Sequence, residues 1–88
     1  MFEKRIGKYL FKAPSRREHK KYDVYDSDDK YITSFGDNRY EQYHDKIGYY
    51  RSKDHGDVER RDNYRTRHKH DILDRPTAGF FSMRFLWT

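Results

Sequence analysis

Cysteine is absent from these 88 residues. Disulfides and thiolate metal sites are therefore excluded, and a secreted disulfide scaffold with them. Long apolar runs are also missing. The longest apolar cluster, Ala78 to Trp87, contains Ser82 and Arg84 and falls short of the ~18 residues of a membrane helix, so no membrane span is expected. Glu3, Lys4, Arg5 and Lys8 interrupt the start of the chain, which does not read as a secretory signal. A reducing, cytosol-like compartment is the expectation. The five glycines include no phosphate-binding loop. Aliphatic content is low too. Hydrophobic residues make up 33% and charged residues 40% of the chain, against roughly 45–50% and 25% in typical globular domains, a balance that leans toward disorder.

Rings offset that shortage. Nine Tyr, six Phe and one Trp make 18% of the chain, and such side chains bury large areas with few rotors. One thin aromatic core is expected, because a chain this short buries only about 60–65% of its unfolded surface.

The net charge of +5 is unevenly placed. Residues 1–21 carry eight Lys or Arg against two acids, and residues 58–70 five against two. Residues 22–57 carry nine acids against five bases. Two basic segments thus flank an acidic middle. In the first, Phe2, Ile6, Tyr9 and Leu10 have helical spacing as far as Pro14, which predicts an extended or partly helical basic arm over 1–20.

Alternation follows. Tyr22 and Val24, a polar turn at 26–29, then Tyr31, Thr33 and Phe35 read as a β-hairpin. Residues 39–43 begin a third strand or a short irregular segment, so that the expected sheet over about 21–43 is a small β-hairpin or three-stranded. An isolated hairpin is marginal in water, so its ring-bearing face needs a cover. Asp57 as N-cap and Glu59 in the first turn predict a helix over about 57–69. Pro76 breaks the chain, and Thr77 caps a last helix over about 77–87. Phe80, Phe81, Phe85, Leu86 and Trp87 are its structural anchor. The fold class expected is α+β, a single domain over 21–88 preceded by the arm.

Reactive chemistry is sparse. His68 and His70 form a short HxH without the third and fourth converging ligands that zinc requires. The five serines sit in no nucleophile elbow, and Asp28 and Asp29 fall in the hairpin turn, where carboxylates serve the backbone. A non-enzyme is expected, with no cofactor, no metal and no small-molecule substrate. Binding remains. Arg60, Arg61, Arg65, Arg67 and Lys69 would neutralise several phosphates of a nucleic acid. Alternatively, Tyr, Phe, Trp and Arg serve protein interfaces, where they are enriched. Phe2, Ile6, Leu10, Arg16 and Arg17 of the arm would then contact a partner.

Four segments follow one another in a distinctive order: Tyr40-Glu41-Gln42-Tyr43-His44-Asp45-Lys46, Arg51-Ser52-Lys53-Asp54-His55, the run from Arg60 to His68, and Thr77 to Trp87. Together they resemble a family of short, basic proteins of large double-stranded DNA viruses of algae and protists. Its pattern is a strand ending in Phe-Gly, a "YxxY" and "HKDxxRRxxYxxRH"-like middle and an aromatic "AGxxSxxxLW" end. The resemblance covers about 21–87. It departs at the longer Asp54-His55-Gly56-Asp57 and at the inserted Ile72 to Arg75. It implies a virion protein made in the host cell cytoplasm, a minor capsid or particle-internal component that cements larger capsid proteins. A packaged nucleic-acid-binding protein is the alternative.

Overall fold

A computed structural model describes residues 2–69 and 76–88. The protein is α+β. Four antiparallel strands, β1 (Phe2–Ile6), β2 (Tyr9–Ala13), β3 (Lys20–Tyr25) and β4 (Tyr31–Asp37), lie in chain order, and two helices follow, α1 (Val58–Arg67) and α2 (Ala78–Leu86).

The basic N-terminal segment is not an arm. Phe2 to Ile6 pair with Tyr9 to Ala13, and β2 pairs with β3 through Leu10–Tyr25, Phe11–Val24 and Lys12–Asp23. The expected boundary at residue 20 is thereby corrected, since residues 2–13 supply half of the sheet. Gly7 takes φ 60° in the two-residue turn Gly7–Lys8, a conformation open to glycine that matches the twist of a hairpin. Side chains therefore alternate with period two rather than along a helical stripe. Phe11 and Ala13 are fully buried, while Leu10 and Lys12 alternate to the opposite face.

The second hairpin lies where alternation places it. Its turn is built by Asp26, whose carboxylate accepts from the N–H groups of Asp28 (2.8 Å) and Lys30 (2.9 Å). Residues 39–43 form no sheet strand, and Gln42 makes only an isolated bridge to Asp54. Tyr31 leaves the face that alternation predicts for it. A register shift at Val24/Tyr25 pairs Tyr31 with Tyr25 instead of leaving it in phase with Thr33 and Phe35. Tyr31 is consequently exposed, bonded to Ser34 Oγ at 2.7 Å.

The core is a set of interlocking rings. Phe11 sits within 4.8–6.4 Å of Tyr22, Phe35, Phe81 and Phe85, and Phe81 reaches Tyr9 edge-on at 4.9 Å. Such tilted and edge contacts suit the ring quadrupole. Of the C-terminal anchor residues, Phe80, Phe81, Phe85 and Leu86 are buried, whereas Trp87 keeps a partly open surface. Thr77 caps α2 by accepting from Phe80 N–H at 3.2 Å. Gly36, at φ 75°, lets α2 close on β4, because a Cβ there would come within 3.1 Å of Leu86 and Lys21.

Residues 38–57 form a long irregular loop held from inside. Asp45, fully buried, accepts from the N–H groups of Ile47, Gly48 and Tyr50 and from the Tyr22 hydroxyl. The loop also satisfies the end of α2, as His44 and Lys46 N–H donate to the carbonyls of Leu86 and Phe85 at 3.0 Å each. Helix C-terminal carbonyls lack partners within the helix, and here the loop supplies them.

Candidate interaction surface

None of the ten residues of helix α1 is buried, whereas α2 buries six of its nine. Its N-terminus is well made. Asp57 accepts from Glu59 N–H (3.0 Å) and Arg60 N–H (3.2 Å), and His55 Nδ1 accepts from Asp57 N–H at 2.9 Å. Its attachment runs through a ladder of rings. Tyr64 stacks on Trp87 at 4.3 Å and 6°, and on His68 at 4.2 Å, while its hydroxyl lies 3.0 Å from Ser82 Oγ. Trp87 meets His55 at 5.3 Å, His55 meets Tyr43 at 6.3 Å, and the Arg61 guanidinium covers Tyr43 at 5.0 Å. Burial, and secondarily the nearby Arg60 charge, holds the His55 imidazole below its usual value.

The arginines of α1 do not form a single face. At 100° per residue, Arg61 and Arg65 flank Tyr64 on one side, Arg60 and Arg67 on the other. Arg60 is paired with Glu41 at 3.2 Å, and Arg61 with its neighbour Asp62 at 3.1 Å. Arg65, Arg67 and Lys69 are exposed. His70, the second half of the HxH, lies outside the described residues. Among those described, no three of His, Cys, Asp or Glu converge as a metal site would need, and no helix is long and apolar enough to cross a membrane.

The expected partner-binding residues of the N-terminal segment are dispersed. Phe2 and Ile6 pack half-buried against the core, while Leu10 alternates to the opposite face. There Arg16 donates to the Tyr25 hydroxyl at 2.9 Å and, through its backbone N–H, to Asp23 at 3.0 Å; Arg17 is exposed. Asp23 is buried, which alone would raise its pKa. Hydrogen bonds from Ser15, Ser34 and Arg16 outweigh that effect and hold it below the ordinary carboxylate value.

Buried polar groups are the feature that sequence reasoning missed. Lys21 is 2% exposed, with its ammonium on Gln42 Oε1. Gln42 is itself fully buried and donates to Tyr50 O (2.8 Å) and Asp54 Oδ1 (2.6 Å). Burial lowers Lys21 to about 8, a fall only partly opposed by the Asp45 charge. Burial together with the hydrogen bond to Asp45 pushes Tyr22 up. Such a lysine would be a nucleophile if it were reachable, but its seclusion makes it a structural group that ties loop 38–57 to β3.

Searches against protein-family models, curated proteins and solved structures found no match to this chain.

Proposed function

We propose that the chain is a non-catalytic assembly module, a minor structural component of a virus particle that contacts a larger partner through α1. One observation supports the reading most. The sheet, α2 and loop 38–57 make a complete core, and α1 is displayed on it with no buried residue. A helix of this length is marginal in water without tertiary packing, and a partner surface would supply what the domain does not. Exposed Tyr40 and Tyr49 add ring surface of the kind interfaces use. Cross-linking mass spectrometry on particles purified from the infected host tests this. The expected result is recovery of the chain with cross-links from Lys69 to a larger structural protein. Its absence from purified particles would overturn the reading.

A second reading, a packaged nucleic-acid-binding protein, is favoured by the exposed cations of α1. Arg65 and Arg67 make no ion pair among the described residues, which leaves their charge available to phosphates.

A further inference from the structure

The Arg61 side of α1 belongs to a larger cationic feature. Lys46, in the loop after β4, lies beside both arginines. Burial, then the Arg65 and Arg61 charges, holds its ammonium below the usual lysine value. Across a groove of about 160 Å3, Arg65 faces Arg84 of α2, with Phe80, Met83 and Thr88 completing the walls. Arg84 is held over the rings of Phe80 (6.0 Å) and Phe85 (5.9 Å), and Lys46 is anchored on a main-chain oxygen of Thr88. Four cations from three separate segments thus converge, and the rings beneath Arg84 orient its guanidinium while leaving its charge unneutralised. Among the described residues, Asp62 on Arg61 is the one acidic side chain paired with the group. Like charges gathered with so little counter-charge repel one another, and an anion with several spaced charges would relieve that repulsion.

We propose that Lys46, Arg61, Arg65 and Arg84 form one cradle for the phosphodiester backbone of a nucleic acid. The inference rests on the second reading above and relocates its site, because Arg60 is engaged with Glu41 and, like Arg67, faces away from the cradle. Arg61 and Arg65 stand about 6 Å apart along the helix axis, close to two ~3.4 Å steps of a duplex strand. Guanidinium groups match phosphate oxygens in pairs, and Phe80 and Met83 exclude water from one wall of the groove.

The test is salt-dependent binding of the full chain to a mixed-sequence DNA duplex. Two double variants that each remove two positive charges are compared, Lys46→Gln with Arg84→Gln, and Arg60→Gln with Arg67→Gln. Lys46 and Arg84 are both exposed, and Gln keeps much of the aliphatic stem, so the fold is preserved. The cradle predicts that the first pair lowers the slope of log K against log salt by roughly 2, while the second leaves it close to the parent. An unchanged slope in the first pair, with loss in the second, would overturn the cradle and leave nucleic-acid binding by α1 standing. No binding by the parent chain at ~50 mM salt would overturn both.

Discussion

Replacing Lys21 by Met removes a buried charge whose cost depends on pH. The folded-state pKa is lowered to about 8 from the ordinary 10.5. Below pH 8 the lysine is protonated in both states, and the cost of burying its charge is fully present. Between 8 and 10.5 the unfolded chain binds the extra proton, so stability rises with pH. At 1.36 kcal/mol per unit, the full effect is about 3 kcal/mol, of which about 2 kcal/mol appears between pH 7 and 9.5. Above about pH 10 the trend reverses. Tyr22 and Tyr50 are both raised by burial and stay protonated in the fold while unfolded tyrosines ionise. Urea unfolding followed by Trp87 fluorescence at pH 7, 8, 9 and 9.5 measures the curve. The parent is expected to climb across that range and Lys21→Met to climb less, by the contribution of Lys46, whose pKa burial also lowers. Loss of the Gln42 partner costs the variant about 1–3 kcal/mol, but that cost is independent of pH. A parent curve flat from pH 8 to 9.5, or a variant with the same rise, would refute the reasoning.

Three substitutions probe the rest of the fold. Phe11→Ala empties the centre of the ring cluster and is expected to cost about 3–5 kcal/mol, enough to leave the chain largely unfolded at 37 °C by circular dichroism; a cooperative melt near the parent's would contradict a structural N-terminal hairpin. Gly36→Ala forces a Cβ against Leu86 at 3.1 Å and at φ 75°, with an expected loss of about 1–3 kcal/mol in denaturant titration. Trp87→Ala removes the stacking platform of Tyr64. It is expected to cost about 2 kcal/mol and to reduce far-ultraviolet helix signal while the near-ultraviolet signal of the buried tyrosines persists.

Local chemistry explains which elements were readable. The β3–β4 hairpin followed from alternation and from Asp26 at the turn, and both helices from the capping residues Asp57 and Thr77. The N-terminal hairpin was obscured because Phe2, Ile6, Tyr9 and Leu10 satisfy a helical spacing as well as a strand one. The deciding signal was Gly7–Lys8 between two five-residue runs. Tyr31 lost its expected place through a one-residue register shift that no alternation pattern reveals. Lys21, Gln42 and Asp45 are charged or polar, and residue type assigns such groups to the surface. Their burial depends on hydrogen bonds between distant segments, Lys21 to Gln42 across 21 residues and Tyr22 to Asp45 across 23. The surface was legible only in part. The arginines of α1 were visible as a run, but their division into two sides depends on Tyr64 facing Trp87. Lys46 and Arg84 were hidden in an acidic and a charge-balanced segment.

The most direct measurement is amide hydrogen exchange of the isolated protein, residue by residue. If α1 is displayed and held by its ring ladder, its amides should exchange about a hundredfold or more faster than those of Tyr22 and Val24 in β3. Protection in α1 equal to that of β3 would contradict the claim, because the helix would then be an integral part of the core.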